Sequence, residues 1–194
     1  MNTVRAQVLL IGGTSHVGKS TLAQHLSELR GCKVIATDQL ARHPGRPWKT
    51  PPERVPKHVA EHYLSLSVDE LLADVLRHYQ SLGPTVSRLI DYRETNLIIE
   101  GSALWPELVA PVLSDDVTAL WLTASDDFLK RRIYEASDYD KTVGEPKEMI
   151  RKFTERTLLY NRQMMEVLHR LGLPSLNVED SSLKNSLKTR SDLL

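Results

Sequence analysis

Three features are scarce in this sequence, and each scarcity narrows the possible classes of protein. Cys32 is the single cysteine, so no disulfide can form within the chain, and we expect a reducing, cytoplasmic environment. The 25 Lys and Arg residues balance 25 Asp and Glu residues, so net charge draws the chain neither to nucleic acid nor to a membrane surface. No apolar run approaches the roughly 18 residues that a membrane-spanning helix needs. We therefore expect an enzyme-sized domain that binds neither nucleic acid nor membrane.

Short apolar runs alternate with helical patterns along the chain. Strands are predicted at Ala6–Ile11, Lys33–Ala36, Leu97–Ile99, Val117–Leu122 and Ser175–Val178. Helices are predicted at Lys19–Arg30, Val68–Leu82, Thr85–Arg93, Pro106–Leu113, Asp126–Ala136 and Lys147–Leu171. This alternation predicts an α/β domain whose parallel sheet carries helices on both faces. Two segments without periodicity, Arg42–His58 and Ser137–Pro146, are predicted to be functional loops.

The most specific motif is G-x-x-x-x-G-K-S at Gly13–Ser20, between the first strand and the first helix. Its glycines let backbone N–H groups turn inward around a phosphate, and the helix that follows adds its positive N-terminal end. In such a loop the lysine reaches the β- and γ-phosphates, and the serine hydroxyl binds Mg²⁺. The residues predicted to bind the nucleotide are Gly13, Thr14, Ser15, His16, Val17, Gly18, Lys19, Ser20 and Thr21. The His16 side chain is expected to point to solvent, because the loop works through its backbone.

Carboxylates follow the second and third predicted strands, at the edge where parallel sheets bind ligands. Asp38 is predicted to bind the acceptor or to take the proton of its hydroxyl, although an N-cap would equally suit an Asp at this position. Glu100 is predicted to bind Mg²⁺ or orient a nucleophile, with a solvated strand end as the alternative. Gly101 allows a substrate to approach the backbone closely.

Basic residues occur in two further places. Arg131 and Arg132, within the predicted Asp126–Ala136 helix, are candidates to neutralise charge on a transferred phosphoryl group, although basic pairs often form a solvated helix face. Arg151 and Arg156 are secondary candidates farther along the chain. Arg42 and Arg46 belong to a proline-rich basic segment that either recognises an anionic acceptor or forms a solvated loop.

Together these motifs resemble the P-loop small-molecule kinases, which include shikimate, gluconate and nucleoside-monophosphate kinases, chloramphenicol phosphotransferase and zeta-type toxin kinases. The phosphate loop and the Ile-Glu-Gly segment at Glu100 look most like the 2-phosphoglycerate kinase group. The resemblance implies a three-layer P-loop fold with sheet order 2-3-1-4-5, and Mg²⁺ with ATP as donor. It also implies one kinase domain over residues 1–180, an acceptor side at about 42–93, a lid at about 126–157 and a tail at 181–194.

The expected function is the ATP-dependent phosphorylation of a small, anionic metabolite on a hydroxyl or phosphate group. The sequence contains no N/T-K-x-D motif of the kind that reads guanine, so GTP specificity is not expected. Two alternatives stay open: an ATP-binding regulatory switch without metabolite kinase activity, and a toxin-like kinase of a nucleotide sugar. The sequence leaves open the acceptor, the oligomeric state, the residues that hold adenine and the choice between the two lid arginines.

Overall fold

A computed structural model of the chain describes residues 6–40, 45–48 and 57–180. Arg42, most of the basic proline-rich segment and the predicted tail at 181–194 lie outside these ranges. None of the helices in the described ranges combines the length and the apolar character that crossing a membrane requires.

The centre of the molecule is a five-stranded parallel sheet in the order β2-β3-β1-β4-β5. The strands are β1 Val8–Gly13, β2 Lys33–Ala36, β3 Leu97–Glu100, β4 Val117–Thr123 and β5 Ser175–Asn177. Central β1 pairs Leu10 with Ile99 of β3 on one side and with Ala119 of β4 on the other. The α/β class and the implied strand order are therefore confirmed.

Helices cover both faces of the sheet. They are α1 Lys19–Arg30, α2 Lys57–Ser65, α3 Val68–Asp91, α4 Pro106–Val109, α5 Asp126–Ser137 and α6 Gly144–Leu171. Short 3₁₀ helices occur at Thr37–Gln39, Ala110–Val112 and Tyr139–Lys141. The three-layer arrangement follows from the chain alternating between strand and helix, since each parallel crossover places its helix on a face of the sheet.

The side chains of β1 explain why its sequence is apolar throughout. Val8 and Leu10 pack into a core with residues of α3, α4 and α6 on one face. Leu9 and Ile11 pack into a second core with residues of α1 and α5 on the other face. Burying each of these side chains contributes about 1.5–3 kcal/mol relative to exposure, so β1 is stabilised from both sides.

Two helix predictions are wrong. The helices predicted at Val68–Leu82 and Thr85–Arg93 are one helix, because α3 continues through Pro84 to Asp91. Pro84 is exposed, so water can satisfy the carbonyl that loses its donor, while buried Leu82, Val86 and Ile90 hold both halves on the core. In addition, α2 forms where no helix was predicted, because Tyr63 buries its ring against α3, α5 and α6.

The polar segment before α6 is shorter than predicted. The predicted loop at Ser137–Pro146 is reduced because α5 extends to Ser137 and α6 starts at Gly144, three residues before the predicted Lys147. Asp138 ends α5 in the left-handed conformation at φ 50°, and a 3₁₀ turn follows directly. The segment is therefore a tight helix-to-helix connection rather than a long loop.

Candidate active site

The phosphate loop joins the end of β1 to the start of α1. Three of its residues have positive φ angles: Gly13 at 138°, His16 at 64° and Gly18 at 110°. A Cβ on Gly13 would lie 2.7 Å from the Leu122 carbonyl oxygen, so the close approach of β4 also requires glycine here. Gly18 occupies the N-cap of α1 and brings no side chain, which leaves the N-terminal amides of that helix accessible to an anion.

Lys19 lies buried at the base of this loop, with 8% of its surface exposed. Its Nζ donates a hydrogen bond to the Thr14 carbonyl oxygen over 2.8 Å. Burial lowers the pKa of Lys19 to about 8, although Glu100 and Asp38 favour the charged form; Arg46 acts in the same direction as burial. A cation in such a dry position gains strongly from a bound anion such as phosphate.

Ser20 and Glu100, both predicted to bind Mg²⁺, lie together. The Ser20 hydroxyl donates a hydrogen bond of 2.9 Å to Oε1 of Glu100, whose residue is only 5% exposed at the end of β3. Within the described ranges, no group of three or more His, Cys, Asp and Glu side chains forms a metal cluster. One carboxylate and one hydroxyl still fit Mg²⁺, which takes few protein ligands and completes its shell with water and substrate phosphates.

Asp38 and Gly101 lie on neighbouring strand ends. Asp38 is exposed and lies inside the 3₁₀ helix that follows β2, while Ala36 occupies the N-cap, so the alternative role of Asp38 as an N-cap is wrong. A Cβ on Gly101 would lie 1.7 Å from Oγ1 of Thr37, so glycine is required where the two strand ends meet. The buried Thr37 hydroxyl has no hydrogen-bond partner within the described part of the chain, and Thr37 lines the same cavity as Asp38.

The two lid candidates on α5 both lie over the ring of Phe128, at 5.7 Å for Arg131 and 5.5 Å for Arg132, but their other neighbours differ. Arg132 Nη1 lies 3.9 Å from the position that a Cβ on Gly18 would take, directly beside the phosphate loop. The hydrogen bond from the Ser125 amide lowers the pKa of the Glu179 carboxyl group most, and the positive charge of Arg131 adds a smaller effect in the same direction. The structure therefore separates two residues that the sequence could not distinguish.

A cavity of about 330 Å³ adjoins the α1 side of the loop. We call it the donor cavity; its lining includes Val17, Gly18, Thr21, Arg132, Asn177 and Asp180. Asn177 and Asp180 lie at and just after the short β5, where the sequence shows no recognisable adenine-binding motif. Only the three-dimensional arrangement brings this late segment next to α1.

A second cavity, of about 240 Å³, adjoins the other side of the loop. We call it the acceptor cavity; its lining includes Ser15, Asp38, Arg46, Tyr79, Ser102 and Arg156. Arg156, from α6, was only a secondary candidate, because nothing in the sequence links it to the basic segment 110 residues earlier that contains Arg46. A larger cavity of about 490 Å³ lies beside Lys33 and Leu97, where β2 and β3 begin, and includes no residue of the phosphate loop.

His16 does not point to solvent, so that expectation is wrong. Its Nδ1 lies 3.0 Å from the Ser15 hydroxyl, and its ring lies 5.6 Å from Trp48 and 6.2 Å from Phe153, measured between centroids. The side chain thus packs on Trp48 and Phe153, and Phe153 lines the acceptor cavity. The backbone of His16 stays with the loop, as predicted.

Comparisons with known proteins agree with the class that this geometry defines, a P-loop nucleotide-binding domain. The chain belongs to the AAA domain family, which matches residues 9–153. No curated protein matches the chain significantly.

Solved structures with a similar fold include a shikimate kinase from Acinetobacter baumannii in complex with shikimate, a deoxyadenosine kinase from M. mycoides with bound dATP, and a gluconokinase from Sinorhizobium meliloti 1021. In that order, their identities to this chain are 14%, 16% and 15%, and their TM-scores are 0.45, 0.48 and 0.39. The matches cover 94%, 94% and 86% of this chain and 89%, 100% and 99% of theirs. Likenesses at this level carry no argument about substrate.

Proposed function

We propose that this protein is an ATP-dependent kinase that transfers the γ-phosphate of ATP to a hydroxyl or phosphate group of a small, anionic metabolite. The observation that carries the proposal is the pair of cavities on either side of the phosphate loop. The donor cavity contacts Val17 and Gly18, and the acceptor cavity contacts Ser15 and Asp38. A regulatory switch needs only the first cavity, whereas a two-substrate transfer needs both.

On the donor side, backbone amides of the loop and the Nζ of Lys19 bind the β- and γ-phosphates. Ser20 and Glu100 hold Mg²⁺, which when bound offsets the negative charge that the phosphates carry during transfer. The base and ribose lie in the donor cavity, between α1 and the residues around Asn177. The buried position of Lys19 strengthens its attraction for the phosphates, because little water screens it.

On the acceptor side, Asp38 orients the acceptor hydroxyl and takes its proton. The oxygen of that hydroxyl bonds to the γ-phosphorus while the bond from phosphorus to the bridging oxygen breaks, and ADP leaves. Arg132 stabilises the charge that grows on that bridging oxygen. In this proposal residues 42–93 form the acceptor side of one domain over 1–180, and residues 126–157 form the lid.

The first test is ADP release measured with and without a panel of metabolites. We expect slow release with ATP alone and release at least about 10-fold faster with a true acceptor, since positioning dominates phosphoryl transfer. Tight ATP binding without acceptor-dependent release on any compound would favour the switch. Nucleotide sugars belong in the panel, because their phosphorylation alone would identify the toxin-like alternative.

Two substitutions test the central residues. Lys19→Ala should abolish turnover, and unchanged activity would contradict the donor site. Asp38→Asn should lower kcat by about 100-fold or more, the usual contribution of a general base, while ATP binding stays the same. If transfer persists near the wild-type rate, Asp38 does not have this role.

Two further comparisons use matched variants. Arg132→Met should lower kcat by at least about 100-fold, in the manner of an arginine that contacts the transferred group, while Arg131→Met on the same helix should have little effect. Equal effects would contradict the separation of the two side chains. Glu100→Gln should raise the Mg²⁺ concentration needed for half-maximal rate, and an unchanged Mg²⁺ requirement would remove Glu100 from the metal site.

A further inference from the structure

A guanidinium group is buried beside the phosphate loop. Arg156 has only 8% of its surface exposed and lines the acceptor cavity. Its guanidinium carbon lies 4.8 Å from the centre of the Phe153 ring, and its Nη1 donates a hydrogen bond of 3.3 Å to the Tyr63 hydroxyl. The next residue, Thr157, accepts a hydrogen bond of 3.1 Å from the Thr14 hydroxyl of the phosphate loop. Arg156 is therefore held at a fixed position relative to that loop.

Arg156 has no acidic partner among residues 6–40, 45–48 and 57–180. The neighbouring Arg151 on α6 pairs with Glu148 and Glu155, and Arg162 pairs with Asp126. A buried cation without a counter-charge destabilises a protein by several kcal/mol, so such groups are retained where an anion binds. A guanidinium has five N–H donors, and the bond to Tyr63 uses one of them.

Arg156 lines the same cavity as Asp38, the residue predicted to take the proton of the acceptor hydroxyl. Tyr79 is partly buried and lines the same cavity. Desolvation raises its pKa to about 12; the charge of Arg156 opposes this shift and that of Asp38 adds to it. Both charges therefore act on one side chain across a small space. Arg46 lines the cavity as well and adds a second positive charge.

We propose that Arg156, with Arg46, binds the anionic group of the acceptor, a carboxylate or a phosphate monoester, while the acceptor hydroxyl faces Asp38. This inference rests on the proposed function only for the hydroxyl that faces Asp38. The binding of the anion by Arg156 and Arg46 does not depend on it. The acceptor class is thus a compact hydroxy acid or a phosphorylated hydroxy compound. Neutral polyols lack the group that the buried guanidinium requires.

Tyr63 is a positioning residue in this arrangement. Its side chain is fully buried, and its hydroxyl donates a hydrogen bond of 2.6 Å to the Gly45 carbonyl oxygen while it accepts one from Arg156. One hydroxyl thereby joins α2, the segment at 45–48 and α6. Removal of that hydroxyl leaves the ring in place but releases both Arg156 and the segment that contains Arg46.

The test measures anion binding directly, by tryptophan fluorescence of the full chain with ADP present to occupy the phosphate loop. Trp48 is a suitable reporter, because its ring centre lies 4.8 Å from that of Phe153, on which Arg156 packs. Trp48→Phe identifies the part of the signal that comes from this site. The probes are glycerate and gluconate as carboxylates, glycerol 3-phosphate as a phosphate monoester, and glycerol and glucose as neutral controls.

We expect saturable binding of at least one anion and none of the neutral compounds. Arg156→Met should weaken that binding by about 10- to 100-fold, the range for losing charge-assisted hydrogen bonds. Arg156→Lys should recover part of the loss because it restores the charge, and Tyr63→Phe should weaken binding by a smaller factor. Arg162→Met, exposed on the same helix, is the matched control and should leave binding unchanged. Circular dichroism and the unfolding midpoint verify that each variant folds.

The inference is overturned if no anion binds the wild type, if glycerol binds as well as glycerate, or if Arg156→Met binds anions normally. The same variants separate this result from the proposed function. Anion binding that depends on Arg156, without phosphate transfer to any compound, contradicts the kinase and leaves the anion site standing. Phosphate transfer whose KM for the acceptor is the same in Arg156→Met contradicts the anion site and leaves the kinase standing.

Discussion

Raising the pH above about 8 should weaken ATP binding, because Lys19 loses its charge in that range. Burial lowers the pKa of Lys19 from 10.5 to about 8. A phosphate bound against Nζ stabilises the ammonium form, so the pKa is higher in the complex than in the protein alone. Binding is then coupled to proton uptake, and the uptake is largest at pH values between these two pKa values.

The size of the effect follows from that pKa. Proton linkage gives an uptake of about 0.1 proton per ATP at about pH 7 and about 0.75 proton at about pH 8.5. Between the same two pH values the Kd for ATP should rise about 4-fold, and by about pH 9.5 about 30-fold, provided that the pKa in the complex lies above that range. The sign is fixed: affinity falls as pH rises, because only the charged form of Lys19 attracts phosphate.

Isothermal titration calorimetry measures both quantities. Titrations of ATP in two buffers of different ionisation enthalpy give the proton uptake, and the same experiments give Kd. Lys19→Arg is the control, because arginine keeps its charge at all of these pH values. A wild-type Kd that is constant from about pH 7 to about pH 9.5, or an identical pH dependence in Lys19→Arg, would refute the coupling to Lys19.

Two further predictions concern stability. Gly101→Ala should lower the free energy of unfolding by about 2–6 kcal/mol, the sum of backbone strain and of overpacking against Thr37. Gly172 lies at φ 63° with open space around it, so Gly172→Ala should lower the free energy of unfolding by only about 1–2 kcal/mol. Equal losses in urea unfolding would contradict the close approach of Gly101 to Thr37. Ser67→Ala removes the N-cap of α3, whose side chain accepts a hydrogen bond from the Glu70 amide, and should cost about 0.5–2 kcal/mol in the same assay. A loss below about 0.2 kcal/mol would show that this cap contributes little.

Local patterns in the sequence were reliable where one short segment decides its own conformation. The G-x-x-x-x-G-K-S motif and the apolar run of β1 were both readable, and that run forms a strand buried on both faces. Local rules failed at Pro84, where the predicted stop is overridden by apolar side chains that bury against the sheet on either side of it. They failed also at α2, whose packing depends on distant helices.

What the sequence determined by itself is the phosphate loop from Gly13 to Ser20, because its spacing is local and each position has its own physical requirement. The sequence also placed Asp38 and Glu100 at strand ends, since parallel strands bring such positions to one edge. Only the tertiary structure decided which arginines lie near that edge: Arg132 rather than Arg131 beside Gly18, and Arg156 in the acceptor cavity. These contacts depend on how α5 and α6 pack on the sheet, and no short stretch of sequence contains that information.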